Sequence, residues 1–165
     1  MEVQKKVVSL TEKQAQILDA VETNNQARFM QAGGATVADL NFDVSQEGVF
    51  PLLIAVARGH TEMVELMSQN ATLDINRTDR NGVNAFWIAA WFGRVDMIRL
   101  LLSIGANPSV KNQNGSNALH IAVKLGHLGA AKEIASLKNY PVDEEKENGV
   151  TAYGIAAYRG HINML

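Results

Sequence analysis

The chain contains no cysteine. That absence removes disulfides, thiolate metal sites and a cysteine nucleophile together, and it fits the cytoplasm or nucleus best. Charge of one sign is also scarce. The formal net charge of -2 gives no pull toward nucleic acid or an anionic membrane. Long apolar runs are missing: Ile88 to Phe92 and Leu100 to Ile104 are far too short to span a bilayer. The N-terminal Met1-Glu2-Val3-Gln4-Lys5-Lys6-Val7-Val8 has no apolar core of signal-peptide length. Familiar catalytic patterns are absent too, with no Gly-x-Ser-x-Gly, no glycine loop ending in Lys-Ser/Thr and no His-Glu-x-x-His. What remains is a balance of 47% apolar and 19% charged residues over 165 positions, enough for a soluble domain with a core.

Present instead is a repeat. Gly48, Gly82, Gly115 and Gly149 recur at intervals of 33 or 34, and so do Gly59, Gly93, Gly126 and Gly160. Ala55, Ala89, Ala122 and Ala156 keep the same step. A fixed period of this size marks a stacked repeat architecture. Each copy reads as tip, short alanine-rich helix, tight turn, second helix, loop. Three tips carry Asn-Gly (Asn81-Gly82, Asn114-Gly115, Asn148-Gly149), a pair in which both residues accept positive φ. The later glycine of each copy suits the left-handed position that ends a helix. The second helices carry Met63, Val64, Leu66 and Met67, then Met97, Ile98, Leu100 and Leu101, at helical spacing. No copy can bury both faces alone, so stability comes from neighbours.

These residues resemble the ankyrin-repeat family from about Ser45 to Leu165. Its Thr-Pro-Leu-His segment has four counterparts here: Phe50-Pro51-Leu52-Leu53, Asn84-Ala85-Phe86-Trp87, Asn117-Ala118-Leu119-His120 and Thr151-Ala152-Tyr153-Gly154. The resemblance implies an all-α solenoid of stacked helix-turn-helix units with β-hairpin or turn fingers. Residues 1–10 read as an extension and 11–44 as a divergent N-terminal capping repeat. In the cap, Asn24-Asn25 stands where Gly-His would be, and Glu12, Gln14, Gln16 and Asp19 suit a face in water. Its loop carries an insert, Gly33 to Val37. Further repeats follow at 45–78, 79–111 and 112–145, with an incomplete one at 146–165. That last copy ends on apolar residues, so the natural protein is expected to continue beyond Leu165.

Four histidines raise the question of a metal. His60, His127 and His161 occupy one repeat position, where another copy has Arg94. Equivalent points on stacked units lie roughly 10 Å apart, whereas zinc ligands sit at about 2.0–2.1 Å. The rings are therefore expected to bridge turns between repeats. His120 resembles the family's structural histidine, with Asn117 as its partner. The run Asp143-Glu144-Glu145-Lys146-Glu147 reads as a solvated loop rather than a cation site. Two departures from the pattern stand out. Glu133 stands at an apolar position, so repeat 112–145 is expected to pack less well there, and Phe50 replaces the Thr that fastens the turn, so its copy is expected to be held by packing instead. No metal or other cofactor is expected.

Aromatic residues are few, yet Phe86, Trp87, Trp91 and Phe92 fall within seven positions. Phe86 reads as core and Trp87 as mostly buried. Trp91 and Phe92 occupy the two positions that, in the resembled family, face a concave groove. Their equivalents, with neighbours at the tips, give the expected partner-binding set: Arg58, Arg80, Asn81, Val83, Trp91, Phe92, Gln113, Ser116, Lys124, Leu125, Val150, Tyr158 and Arg159. Trp, Tyr and Arg dominate binding hot spots. The competing reading lays Trp91 and Phe92 flat against the neighbouring inner helix. The function that follows is a non-catalytic, monomeric protein-interaction module for a protein or peptide with acidic and apolar residues. It does not insert into membranes. The alternative is a regulatory or targeting domain of a larger enzyme, such as a kinase or acyltransferase.

Overall fold

The computed structural model describes residues 8–33, 40–161 and 163. The chain divides into two compact units, Met1–Arg80 and Asn81–Leu165. The first holds α1 (Glu12–Glu22), α2 (Gln26–Gln31), α3 (Pro51–Arg58) and α4 (Thr61–Ser68). The second holds α5 (Ala85–Trp91), α6 (Val95–Ser103), α7 (Ala118–Lys124), α8 (Leu128–Ala135) and α9 (Ala152–Arg159). No strand forms among the described residues, and no helix among them is long and apolar enough to cross a membrane. Most of the insert after Gly33 lies outside the described residues.

Inner helices touch inner helices, and outer touch outer. In the first unit α1 packs on α3 and α2 on α4; in the second α5 packs on α7, α7 on α9 and α6 on α8. Alanine makes this closeness possible. Ala55, Ala89, Ala122 and Ala156 are all buried to within 1%. Outer helices contribute Met63, Val64 and Met67, then Met97, Ile98 and Leu101, all at most 2% exposed.

Each inner helix closes in the same way. The backbone N–H of His60, Arg94, His127 and His161 donates to the carbonyl of Ala55, Ala89, Ala122 and Ala156, at 2.9, 3.0, 2.9 and 2.9 Å. One residue earlier, a glycine N–H donates to the next carbonyl, as Gly93 does to Ala90 at 3.1 Å. This pair of bonds is the Schellman turn, and it needs a left-handed residue. The first repeat keeps it without glycine: Asn24 takes φ 52, and Asn25 N–H reaches Ala20 at 2.8 Å. Asparagine substitutes because its short polar side chain tolerates that region.

At the helix starts, Asn84, Asn117 and Thr151 accept from the N–H groups of Trp87, His120 and Gly154 at 2.9, 3.1 and 3.1 Å. Thr11 and Asn25 do the same for α1 and α2. Phe50 has no such bond. It is fully buried instead, ahead of Pro51, and the Arg77 guanidinium lies 4.7 Å from its ring centre. Packing therefore replaces the cap, as expected from the sequence.

The tips depart from expectation in one respect. Asn112 N–H bonds Ser116 and Gly115 N–H bonds Asn112, closing a turn in which only the glycine has positive φ. Among described non-glycine residues, only Asn24 and Asn139 do. The tip asparagines thus serve the turn through ordinary φ, while glycine takes the left-handed bulge position. Gly115 is required twice over, since a Cβ there would lie 2.9 Å from Glu147 N.

The histidines bridge backbone. His60 Nδ1 lies 2.9 Å from Val21 O, His127 Nε2 2.9 Å from Trp91 O, and His161 Nδ1 2.8 Å from Val123 O. A carbonyl only accepts, so each ring nitrogen donates. Glu133 is not an unpartnered defect: it pairs with Arg99 at 2.8 Å, beside a fully buried Ile134. Nor is the acidic run uniformly solvated. Glu144 is half-buried, takes Lys111 at 2.5 Å and accepts from Asn117 Nδ2 at 3.0 Å. That bond orients the amide, leaving Asn117 Oδ1 to accept from His120 Nδ1 at 2.6 Å.

Burial pushes the His120 pKa down, against the backbone groups of Val150 and Glu144 and the Glu144 charge, which favour the cation. Burial opposes ionisation of Glu144, but Lys111 and Asn117 together hold its carboxyl below the usual range.

Two outcomes follow for stability. Gly93 has φ 64, and a Cβ there would lie 2.7 Å from the His127 ring. Gly93→Ala should cost about 2–3 kcal/mol, the left-handed penalty plus a displaced hydrogen bond. Gly154 has helical φ, and its Cβ would meet only Thr151 Oγ1 at 3.5 Å and Val150 Cγ1 at 3.8 Å, so Gly154→Ala should be neutral or stabilise by up to about 1 kcal/mol. Denaturant melts of the two variants should shift in opposite directions or leave the second unmoved.

The second outcome concerns acid. His120 is held neutral, so its contribution is complete above the ordinary histidine value near 6.5 and is lost as pH falls toward the depressed folded value. Glu144 adds its own loss further down, below the ordinary carboxyl range. The melting temperature should drop as pH falls below the ordinary histidine value, with a shallower drop in His120→Gln despite its lower starting value. Equal slopes would contradict a neutral buried His120.

Candidate functional site

In the unit Asn81–Leu165 three inner helices end with their last two positions outward. Trp91 and Phe92, Lys124 and Leu125, Tyr158 and Arg159 are all exposed. The apolar ones are conspicuous: Trp91 41%, Phe92 47%, Leu125 40% and Tyr158 90%. Because α5 packs on α7 and α7 on α9, these pairs form a row. The backbone beneath the first two pairs is tied to the next repeat, since histidine rings hold the carbonyls of Trp91 and of Val123, the residue before Lys124.

Trp91 rests on Trp87. The ring centres are 5.3 Å apart and the planes are tilted by 31°. Trp87 is 6% exposed, and its Nε1 donates to Ser116 O at 3.2 Å. One tryptophan thus acts as a buried platform and the other lies on it with much of its surface in water. Trp91 thus leans on a residue four positions back in its own helix. Phe92 carries the Arg94 guanidinium 5.4 Å from its ring centre.

Beside this row, Lys124, Lys146, Val150, Ile155, Tyr158 and Arg159 line a cleft of about 570 Å³. Its wall includes Gly154, at the position filled elsewhere in this unit by buried Trp87 and His120. The expected set did not contain Lys146, Gly154 or Ile155. The available signal was the glycine itself, standing where the repeat pattern calls for a large side chain. A smaller cleft, about 370 Å³ and lined by residues such as Leu119, Leu128 and Tyr153, holds none of the expected residues.

Other expected residues divide. Asn81 and Gln113 are exposed at tips, and Gln113 N–H donates to Asn81 O at 2.9 Å. Ser116 and Val150 are half-buried. Val83 is 6% exposed and belongs to the core, so its side chain offers no surface contact. It precedes the Asn84 cap, and apolar residues at that position pack inward to fix the chain's entry into the helix. Arg58 and Arg80 belong to the other unit. There Arg58 reaches Glu22 at 3.3 Å, and Arg80 N–H donates to Glu47 O at 2.9 Å. Among the described residues, no group of three or more His, Asp or Glu side chains could hold a metal ion.

A family model described as ankyrin repeats in three copies matches residues 17–112 and again 100–165. The chain belongs to the ankyrin-repeat family. Ankyrin repeats are in general protein-interaction modules and typically non-catalytic. Among curated relatives, the human protein "transient receptor potential cation channel subfamily A member 1" is 32% identical over 117 residues, covering 70% of this chain. Its Caenorhabditis elegans homolog is 27% identical over 139 residues, covering 84%. The E3 ubiquitin-protein ligase hecd-1 of the same nematode is 32% identical over 106 residues, covering 63%. The chain spans only 10%, 11% and 4% of these proteins' lengths.

The ankyrin pattern makes the two tryptophans separable by experiment. In Trp91→Phe only Trp87 remains, and its emission should be blue-shifted and shielded from acrylamide. Trp87→Phe should leave a red-shifted, readily quenched Trp91. Equal quenching in the two variants would contradict the platform arrangement.

Proposed function

We propose that this ankyrin-repeat chain is a non-catalytic docking module that takes a protein or peptide partner on the inner-helix ends and tips of the unit Asn81–Leu165. The observation that carries this reading is Trp91, a large aromatic held out at 41% exposure on a buried tryptophan. A Trp with no use on a surface exposes costly apolar area. Trp also offers large contact area for few lost rotamers, which is why it anchors interfaces. Phe92, Leu125 and Tyr158 extend the apolar row, while Lys124 and Arg159 add positive charge. That combination favours a partner carrying acidic and apolar residues. Exposed polar tips at Asn81 and Gln113 supply rim contacts. The cysteine-free composition supports a cytoplasmic or nuclear setting.

Pull-down from lysate with the parent chain beside Trp91→Ser tests the reading, with both proteins melted in parallel. Partners recovered by the parent should be lost from the variant, by tenfold or more on a scale where hot-spot truncation costs about 2 kcal/mol or more. The melting temperature should change little. Undiminished recovery would remove Trp91 as the anchor, and a large fall in melting temperature would return it to the core.

A further inference from the structure

The row of exposed residues is chemically asymmetric. At the α5 end the exposed side chains are mainly apolar, Trp91, Phe92 and Leu125, with the Arg94 guanidinium lying 5.4 Å from the Phe92 ring centre. At the α9 end it opens into the cleft whose charged lining is wholly positive, Lys124, Lys146 and Arg159. No carboxylate is among the residues that line the cleft. Glu144 is taken by Lys111 and Asn117, and Glu145 approaches Gly149 without lining the cleft. Val150 and Ile155 give the same cleft an apolar wall.

Resting on the docking role proposed above, we infer that the partner segment is an extended peptide with an aromatic or aliphatic residue at one end and a carboxylate side chain at the other. The apolar residue packs on Trp91 and Phe92; the carboxylate enters the cleft between Lys124, Lys146 and Arg159. Spacing follows from the packing. Two successive inner-helix contacts of about 8–10 Å separate α5 from α9. An extended chain rises about 3.3 Å per residue. The two anchors should therefore stand about five or six residues apart. Apolar contact supplies most of the affinity, while the exposed cations select the charge and make binding salt-dependent.

Randomised peptides of about twelve residues displayed on phage and selected on the intact chain provide the test. Selected sequences should share Asp or Glu about five or six positions from Trp, Phe or Leu. A synthetic copy of the best of them should lose about tenfold in affinity for Lys124→Glu/Arg159→Glu. Exchanging its acidic residue for Lys should restore part of that loss in the same variant. Binding to the parent should weaken from about 50 mM to about 500 mM salt. Peptides that need Trp91 yet ignore the charge reversal and salt would overturn this inference and leave the docking role standing. Selection that yields no peptide, or only peptides indifferent to Trp91→Ser, would overturn both. All variants change exposed residues, and melting temperatures equal to the parent's confirm that the folds compare.

Discussion

Every repeat of this protein depends on a bond between an alanine carbonyl and the N–H five residues on. Ala55, Ala89, Ala122 and Ala156 each accept it, and each is also a close-contact position of an inner helix. The two demands meet in one residue type. A larger side chain would push the inner helices apart, and a different turn would misdirect the outer helix that follows. The left-handed residue between them then has little freedom of identity, glycine in four repeats and asparagine in the first. Close packing and turn geometry are thus one constraint seen from two sides.

The same turn places the next recurring feature. The residue after the glycine is histidine in three copies, and its ring reaches a carbonyl of the preceding repeat at 2.8–2.9 Å. Those carbonyls belong to Val21, Trp91 and Val123, at or near the ends of inner helices where backbone acceptors lack intrahelical partners. One side chain therefore fills an acceptor and ties two repeats together. In the third repeat the partner group is Trp91 O, so the bond that joins repeats also fixes the backbone beneath the exposed tryptophan.

Much of this was legible in the sequence because it repeats. A glycine or alanine at fixed spacing, four times over, reports backbone geometry directly. The bridging role of His60, His127 and His161 followed from the same register, and so did the packing-for-cap exchange at Phe50. Less legible were features that a single copy carries. Val83 looks like a tip residue by position, yet its spacing of five from Ile88 is that of a hydrophobic staple, which points it inward. Trp87 and Trp91 stand four apart on one helix, and that spacing already placed them on one face. Gly154 carried its signal as a missing side chain, which is read only against the other repeats. Glu133 looked like a packing fault because its partner Arg99 lies 34 positions away, a contact that only the stacking of α6 on α8 creates.

The division of labour within a repeat explains why the candidate site can be apolar without unsettling the fold. Stability sits in the alanine faces, the capped helix starts and the histidine bridges, none of which uses the side chains of the last two inner-helix positions. Those positions are free to hold Trp91 and Phe92 in one repeat, Lys124 and Leu125 in the next, and Tyr158 and Arg159 after that. Beneath the first two of these pairs the backbone is also bonded forward to the following repeat, through Trp91 O and Val123 O. Side chains that contribute little to folding but stand on fixed backbone lose little freedom when a partner arrives, so more of the contact energy appears as affinity. A repeat architecture reaches that combination by keeping its constraints in the turn and its variation one residue before it.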